Sequence, residues 1–476
     1  MKYPLLTKVG AIALVGLMVL LALMRIEGLV AERAARAGEA VRSVEQSHAA
    51  AQTIVGPLLQ RACTEEWTSE TGTGANRVTK DEKHDFTLMQ APNELAIDSR
   101  TQADPLHRGL FKVNAYVAHA NVSASFATLA PLQPHAENAG GRLHCDAPVL
   151  FVALGDVRGV RTASIVLDDA GVEVAPGTPN EKYPHGFHAT LASSRVDGDA
   201  AARPLTAKLV LDAIGTGQLA WVPAAGSTTW TLASDWPHPS FGGQFLPEQR
   251  VLRADGFGAT WKLSALATSA PADVVRGLDL CRPSAVAADA DADAGDAKPQ
   301  NCLDTMSVAF IDPVNPYVLS DRAVKYDLLF VALTFLAVGL IEVLSGRRVH
   351  PVQYLLVGMA LSVFFLLLLS LSEHLVFELA YAIAAAACAV LLGFYASAML
   401  GRRLAGAAFG AGIAVLYGLL YALLQMEQNA LVIGAVMLFA ALATVMTLTR
   451  RIDWYALFAR LRLNADKSPL AQEPTR

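Results

Sequence analysis

The sequence has few charged side chains. Of its 476 residues only 17% are Asp, Glu, Lys or Arg, whereas 53% are hydrophobic. Soluble domains carry about 25% charged residues, so this composition indicates a membrane protein that is embedded in the lipid bilayer. No long basic run occurs and the formal net charge is −5, so we expect no nucleic-acid partner.

The sequence also lacks the common enzyme motifs. It has no G-x-S-x-G nucleophile elbow, no H-E-x-x-H zinc motif, no Walker loop and no G-x-G-x-x-G that opens a helix. His185 and His188 in "YPHGFH" are flanked by Pro and Gly, which predicts a loop and not a pair of ligands on one helix face. We therefore predict no catalytic residues, no cofactor and no metal site.

Long apolar runs stand at the two ends of the chain. Residues 9–24 follow two lysines and precede a charged helical pattern, so we expect a retained span and not a cleaved signal peptide. Five further runs are each near the roughly 20 residues that a span needs; they cover 328–344, 354–372, 375–400, 404–425 and 430–449. The sequence thus predicts six transmembrane α-helices, one N-terminal and five C-terminal.

The short loops between these runs predict the orientation. Loops 345–350, 401–406 and 449–454 each carry a pair of arginines, whereas 372–374 and 425–429 carry no Lys or Arg. Because basic loops stay in the cytoplasm, we expect a multi-pass membrane protein with both termini cytoplasmic. The residues from about 27 to 325 would then lie outside the cytoplasm.

The region between the first and second spans shows the period of two that is typical of strands, for example in "AKLVLDAIG" and "FGATWKLSAL". We expect a large β-rich domain outside the cytoplasm. The predicted domains are a cytoplasmic tip and first helix (1–26), an exterior helical extension (27–62), the β-rich domain (63–325) with an Ala/Asp-rich flexible insertion (285–300), a five-helix bundle (326–450) and a cytoplasmic tail (451–476).

Cysteine is scarce, and four of the five cysteines fall in the expected exterior domain, where disulfides persist. Cys281 and Cys302 bracket the Ala/Asp-rich tract, and a bridge there would close its base. Cys63 and Cys145 are the other candidates. Four free thiols remain the alternative.

The densest aromatic stretch of the exterior domain is "SDWPHPSFGGQFLPEQR", residues 234–250. Its prolines exclude a regular helix. Trp236 and Phe245 suit a rigid connection that fills an apolar pocket, or a contact with the membrane or a partner. Catalysis through His238, with Asp235 or Ser240, is the third interpretation.

Ionisable residues near the spans are functional candidates by default. Glu342 lies near the cytoplasmic end of the second span, where an interfacial ion pair with neighbouring arginines is the alternative to a proton-linked or ligand-linked role. Glu373 and His374 lie at the exterior mouth, and His374 would share a helix face with Glu378 if the helix continued.

The fifth span carries small residues at every fourth position, which predicts close helix packing within the bundle or in a homo-oligomer; they are Gly406, Gly410, Ala414, Gly418 and Ala422.

Long motifs resemble the CreD family of inner-membrane proteins. They include "LGDVRG", "SDWPHPSFGGQFLP", "DGFGATWKLSALA", "DPVNPYVLSDRAVKYDLLFVALTFLAVGLIEVLSGRRVHPVQYLLVGMALSVFFLLLLSLSEH" and "LTRRIDWY". The resemblance covers residues from about 25 to 455. It places family positions at Asp156, Arg158, Trp236, Pro237, Pro239, Phe245, Pro247, Glu342, His350, Gln353, Tyr354, Glu373, His374, Asp453 and Trp454; Glu378 and the Ala/Asp tract depart from the pattern.

The resemblance implies a bacterial inner-membrane protein in which the exterior residues from about 27 to 325, with the helical extension 27–62 and the β-rich domain, are periplasmic. It also implies a non-enzymatic protein of a two-component regulon that supports cell-envelope integrity and the stress response, with colicin tolerance and β-lactam responses. The β-rich domain would bind a periplasmic or envelope protein partner. Two alternatives stay open. One is a transporter or flippase-like protein that uses Glu342, and the other is a periplasmic hydrolase that uses His238.

Overall fold

The computed structural model describes residues 4–71, 78–280, 302–312, 316–345, 349–425 and 430–450. Internal packing divides the chain into two units, residues 1–36 with 314–476 and residues 37–313. The first unit is helical and the second is β-rich. The helices are α1 (Pro4–Ser47), α2 (Ala270–Val275), α3 (Pro316–Lys325), α4 (Asp327–Ser345), α5 (Pro351–Ser372), α6 (Phe377–Leu400), α7 (Arg403–Gln425) and α8 (Ala430–Thr449).

The strands of the second unit are numbered in chain order: β1 (Gln52–Thr71), β2 (Val78–Gln90), β3 (Glu94–Ala103), β4 (Leu106–Arg108), β5 (Phe111–Val113), β6 (Ala115–Phe126), β7 (Arg142–Cys145), β8 (Val149–Leu154), β9 (Val160–Leu167), β10 (Ala170–Val172), β11 (Ala175–Pro176), β12 (Gly186–Thr190), β13 (Leu205–Thr216), β14 (Gln218–Trp221), β15 (Ser227–Ser234), β16 (Pro239–Gly243), β17 (Gln249–Arg253), β18 (Gly256–Ser264) and β19 (Met306–Phe310).

These strands form two large sheets and one small hairpin. The first sheet runs β11-β12-β8-β1-β14-β19-β16, and β2 and β7 also pair with β1. The second sheet runs β10-β9-β13-β6-β3-β15-β18-β17, and β4 with β5 forms the hairpin. Almost all pairs are antiparallel; β1 with β14 and β15 with β3 are parallel. The predicted β-rich domain is therefore confirmed.

The main core of the β-rich unit collects apolar side chains from both sheets. In β3 buried and exposed residues alternate, so Leu95 and Ile97 point inward while their neighbours face outward. Trp230 and Trp261 are fully buried and stack at 4.3 Å between ring centroids. The Trp230 indole also donates to Ser99 Oγ at 2.7 Å, so its polar atom has a partner inside the core.

The predicted helical extension to residue 62 is wrong, because α1 ends at Ser47 and β1 begins at Gln52. Residues 51–61 are buried on both strand faces, so this segment has no period of two that could distinguish it from a buried helix. Within β1, Gly56 lies close to the neighbouring strand β8. Its φ is +103°, and a Cβ there would lie 2.9 Å from the carbonyl oxygen of Phe151 on β8, so the position favours glycine.

The helical unit also begins earlier than the sequence indicates. The predicted boundary at 326 is wrong, since α3 starts at Pro316 and belongs to the helical unit. This helix is short and partly charged, with Leu319, Ala323 and Val324 buried against the other helices. It therefore lacks the continuous apolar run by which the sequence identifies a span.

Four described helices are long and apolar enough to cross a membrane: residues 10–47 of α1, and α5, α6 and α7. The pair α3 and α4, bent by 46°, makes a fifth if it is counted as one span. The prediction of a membrane protein with several apolar helices is confirmed. The sixth predicted span corresponds to α8, whose apolar part is shorter, so the count of six stays a prediction.

Candidate functional site

The aromatic stretch 234–250 is more regular than the sequence indicates. Residues 239–243 form β16, which pairs antiparallel with β19 at the end of the first sheet. The rigid connection that the sequence indicates therefore contains a short strand. Pro239 cannot donate a backbone hydrogen bond, and an edge strand is the place where a sheet tolerates this loss.

Trp236 is a buried packing residue with 6% of its surface exposed. Its indole Nε1 donates to the carbonyl oxygen of Ile311 at 2.9 Å, and its ring meets Phe310 edge-on at 5.9 Å. Lys112 Nζ lies 5.5 Å from the centroid of the same ring and forms an ion pair with Asp312 at 2.8 Å. Trp236 thus fixes the end of β19.

The other aromatic residues of the stretch also face the core. Phe241 meets Phe257 and Trp261 edge-on at 5.6 and 5.8 Å between ring centroids. The carbonyl oxygen of Phe245 accepts a hydrogen bond from Trp261 Nε1 at 3.0 Å. The aliphatic side chain of Leu246, in the same stretch, is 65% exposed. These contacts support the packing interpretation of the stretch.

His238 is exposed and has no hydrogen-bond or ion-pair partner in the part of the chain that the structure describes. Asp235 Oδ1 accepts a hydrogen bond from the backbone N–H of Ala103 at 2.8 Å. Ser240 lies in β16 opposite Ala309. No described acid or nucleophile is thus placed for catalysis with His238.

A second group of polar residues joins the C-terminal end of α1 to the β-rich unit. The guanidinium of Arg158 donates to the carbonyl oxygens of Glu45, at 3.0 Å, and of Gln46. Its carboxylate partner Asp156 lies 2.5 Å away and accepts from the backbone N–H of Ala50 at 3.0 Å. The last carbonyls of a helix have no partner within the helix, so Arg158 supplies one.

Charge and burial shift the pKa of both partners. Burial tends to raise the pKa of Asp156, but hydrogen bonds from Arg158 and from the Ala50 N–H hold it below its ordinary value. The hydrogen bond to Asp156 and its negative charge raise the pKa of Arg158. The pair is therefore an ion pair at neutral pH.

Gln52, at the start of β1, extends this group into the sheet. Its side-chain amide donates to the carbonyl oxygens of Asp156, at 2.9 Å, and of Ile214, at 3.2 Å. Sequence reasoning reached Asp156 and Arg158 only through the family resemblance and missed Gln52. The short spacing of Asp156 and Arg158 in "GDVRG" was the one local signal of a capped turn.

Glu342 and Tyr354 lie together in the helical unit. The Tyr354 hydroxyl, on α5, donates to Glu342 Oε2, on α4, at 3.2 Å. Tyr354 is buried and its ring meets Phe335 edge-on at 5.7 Å. The arginines that sequence reasoning offered as ion-pair partners, at 347 and 348, lie outside the described residues.

His350 caps the N-terminus of α5. Its Nδ1 accepts from the backbone N–H of Val352 at 3.3 Å, and the Gln353 side chain accepts from the His350 backbone N–H at 2.9 Å. Such reciprocal bonds satisfy donors that the first helical turn leaves without partners. The contacts therefore give His350 a structural role.

Glu373 forms an ion pair with Arg33 of α1, with 3.5 Å between Oε1 and Nε. The expectation that His374 and Glu378 share a helix face is wrong, because α5 ends at Ser372 and α6 begins only at Phe377. His374 and Glu378 are both exposed. Within the described residues, no group of three His, Cys, Asp or Glu side chains is arranged to hold a metal ion.

The small-residue stripe of α7 divides into two halves. Gly406 and Gly410 are buried against α6, where a Cβ on Gly410 would lie 3.0 Å from the carbonyl oxygen of Ala389 and from the Cα of Gly393. This half packs within the bundle. The other half is exposed; it consists of Ala414, Gly418 and Ala422.

Cys63 and Cys145 form a disulfide and stand directly opposite each other in β1 and β7. Cys302 is also disulfide-bonded, whereas Cys281, its expected partner, lies outside the described residues. Of the cysteines that the structure describes, Cys388 is a free and buried thiol. The predicted insertion 285–300 and the predicted tail 451–476, with Asp453 and Trp454, also lie outside the described residues.

Comparison with known proteins assigns the family. The family model described as inner membrane protein CreD matches residues 4–455. The chain belongs to the CreD family. A relative, inner membrane protein CreD of Escherichia coli (strain K12), is 31% identical over 477 residues, which cover 100% of this chain and 99% of the relative.

CreD membership and the apolar helices make this chain a multi-pass inner membrane protein, and the family is not known as an enzyme family. Among solved structures, the M1 zinc metallopeptidase of Deinococcus radiodurans matches with a TM-score of 0.20 and 10% identity over 46% of this chain and 42% of its own. A mutant of that enzyme gives 0.19 and 11%, over 36% and 38%. TM-scores this low support no inference about the fold or the function of this chain.

Proposed function

We propose that this CreD-family protein supports cell-envelope integrity and the stress response without catalysing a reaction. Its β-rich unit binds a component of the envelope, and its helices anchor the protein and transmit the binding signal. The observation that carries the proposal is the family match over residues 4–455. The assignment to a two-component regulon, colicin tolerance and β-lactam responses follows the same resemblance.

The proposal places the β-rich unit, residues 37–313, in the periplasm and both termini in the cytoplasm, with six spans. The arginine pairs of the short loops support this orientation. The Cys63–Cys145 disulfide agrees with it, because disulfides persist in the periplasm and are rare in the cytoplasm.

Transmission requires a stiff connection, and α1 has the necessary features. It is one helix of 44 residues that contributes to both units. Arg158 and Asp156 hold its C-terminal end in the β-rich unit, and the ion pair between Arg33 and Glu373 holds an earlier turn in the helical unit.

The test is survival of a deletion strain under detergent and β-lactam stress. The full chain is compared with a chain that ends at Pro313, because the helical unit begins at the next residue. Immunoblots must show equal membrane levels of both. We expect rescue by the full chain only, since transmission needs both units. Rescue by the short chain would assign the whole function to the β-rich unit, and failure of the full chain would refute the proposal.

The transporter alternative is tested at Glu342. A proton-linked or ligand-linked role needs the carboxylate of Glu342, whereas the hydrogen bond from the Tyr354 hydroxyl needs only an acceptor. The Gln side chain still offers an oxygen, so we expect Glu342→Gln to rescue the strain like the parent. Tyr354→Phe, which removes the donor, is the matched control. Loss of rescue by a well-expressed Glu342→Gln variant would favour transport.

A further inference from the structure

The segment 45–50, which leads from α1 into β1, is held in the β-rich unit by hydrogen bonds to its backbone. Arg158 donates to the carbonyl oxygens of its first two residues, and Asp156 accepts from its last backbone N–H. On β13, the Thr216 hydroxyl donates to the carbonyl oxygen of Ala49 at 2.9 Å. Several backbone acceptors of this segment are therefore already in use.

His48, inside this segment, has a side-chain nitrogen without a partner. Its Nε2 atom is buried and makes no hydrogen bond to any residue that the structure describes. An unpaired acceptor nitrogen of a neutral ring costs less than a buried N–H of a charged ring that finds no acceptor. In the protonated form both ring nitrogens carry a hydrogen that must be donated. The surroundings of His48 therefore suit the neutral imidazole and oppose its protonation.

Two charged side chains from other elements act on the His48 ring. Arg161, the second residue of β9, disfavours a positive charge on the ring, whereas Asp104, the residue after β3, favours it. Burial and the charge of Arg161 together outweigh Asp104, so the pKa of His48 lies below its ordinary value of 6.5. The nearby Asp156 and Arg158 bind each other.

We propose that His48 is an acid-sensitive release for the C-terminal end of α1, because its protonation opens the segment 45–50 from the β-rich unit. In the closed segment the charged ring would lie buried beside Arg161 without an acceptor, whereas water solvates it in the open segment. The open form thus binds the proton more tightly, and acid favours the open form. The stability that the neutral ring contributes is present above pH about 6.5 and is lost as the pH falls towards the pKa of the closed form.

This release would weaken the connection that α1 is proposed to make between the two units, so its effect on signal transmission rests on the proposed function. The acid response of Asp156 lies in a different pH range. Its pKa is below its ordinary value, which is about 3.9. An opening that begins near pH about 6 therefore belongs to a histidine.

The test is hydrogen exchange of residues 44–52 in the full chain in nanodiscs, at pH about 7.5 and about 5.5, which bracket the range in which histidine titrates. Each rate is divided by that of an unstructured peptide of the same sequence at the same pH. We expect opening to increase about two- to tenfold at the lower pH, with the upper limit set by a pKa of about 6.5 in the open form.

His48→Gln should abolish this increase, because glutamine does not titrate. His144→Gln changes an exposed histidine on β7 in the same way and is the matched control. Glu45→Gln removes the carboxylate nearest to His48 in sequence. Both controls should keep the acid response of the parent.

Two further variants keep the test decisive if His48→Gln fails to fold. Arg161→Gln should reduce the acid response, and Asp104→Asn should enlarge it, since the first removes a charge that disfavours protonation and the second removes one that favours it. Both side chains are exposed, so both variants should fold like the parent. No increase at the lower pH, an increase that His48→Gln retains, or equal responses of the Arg161 and Asp104 variants would each overturn the proposal.

The strain assay keeps this inference separate from the proposed function. If the full chain rescues the deletion strain but exchange does not depend on His48, the acid release is wrong and the proposed function stands. If exchange responds to acid through His48 and the full chain fails to rescue, the proposed function is wrong.

Discussion

Arg158 donates from its guanidinium to the carbonyl oxygen of Glu45 at 3.0 Å, across 113 positions of sequence. Glu45 belongs to the last turn of α1, and Arg158 follows β8, so this bond joins the helix end to the first sheet. Because Asp156 fixes the guanidinium from the other side at 2.5 Å, the helix end is held by a pair and not by a single flexible side chain.

The first prediction concerns this pair. Arg158→Ala should free the end of α1 and lower the local free energy of opening by about 1 kcal/mol, which is about fivefold faster exchange. Hydrogen exchange of the segment 44–52 measures it. Lys208→Ala, which breaks an exposed ion pair with Asp169 elsewhere in the unit, is the control. Unchanged exchange in the Arg158→Ala variant would show that Arg158 does not hold the end of α1 in place.

The second prediction concerns pH. Bonds from Arg158 and Ala50 hold the pKa of Asp156 below its unfolded value of about 3.9, despite the opposing effect of burial. A depressed folded pKa means that the carboxylate stabilises the fold above pH about 3.9 and that this contribution is lost as pH falls through the folded pKa. We expect Asp156→Asn to reduce the acid sensitivity of unfolding, measured by tryptophan fluorescence.

The control for this pH dependence is Asp199→Asn, which changes an exposed carboxylate in a short helical turn. The free energy of unfolding of this variant should fall with decreasing pH as that of the parent does. An equal acid response in the Asp156 variant and the parent would show that Asp156 does not contribute through its charge.

The third prediction concerns the disulfide between Cys63 and Cys145, which closes a loop with a sequence separation of 82. Its replacement by two alanines should lower the free energy of unfolding of the β-rich unit by about 4 kcal/mol, because the unfolded chain gains freedom. Thermal unfolding measures this. Cys388→Ala, a change confined to the helical unit, should leave that transition in place; an unchanged transition in the double variant would refute the prediction.

The sequence predicted those elements whose pattern is local. The apolar runs of α5, α6 and α7 are recognised by their length, and β13, which contains the predicted strand "AKLVLDAIG", alternates between buried and exposed residues from Leu205 to Leu211. A transmembrane helix is apolar along its whole length, and a half-buried strand alternates between apolar and polar residues. In both cases the order of apolar residues along the chain is enough to identify the element.

Elements whose hydropathy does not reveal their type were missed. The first part of β1 is buried on both faces, and α3 is short and charged although it packs among the helices. No sequence pattern could indicate the contact between Arg158 and Glu45, because only the fold brings these two residues together. The roles of Trp236 and Phe245 likewise follow from contacts with β18 and β19 that no local spacing indicates.

The last prediction separates the two halves of the small-residue stripe on α7. Gly410→Leu should force α6 and α7 apart and destabilise the bundle by about 1–3 kcal/mol, since its Cβ would already crowd Gly393 and Ala389. Gly418→Leu should leave the packing of α7 on α6 in place and cost less stability than Gly410→Leu, because nothing packed on α7 lies within 4 Å of a Cβ there. Thermal unfolding in detergent measures both, and equal losses would refute the division.

The same pair of variants tests the predicted homo-oligomer. The exposed half of the stripe, with Ala414, Gly418 and Ala422, is the surface that a second copy would approach closely. Sedimentation of the parent in detergent should then give an oligomer, and Gly418→Leu should convert it to a folded monomer, because the larger side chain keeps the helices apart. A parent that sediments as a monomer, or an oligomer that withstands Gly418→Leu, would assign this half of the stripe to contact with lipid.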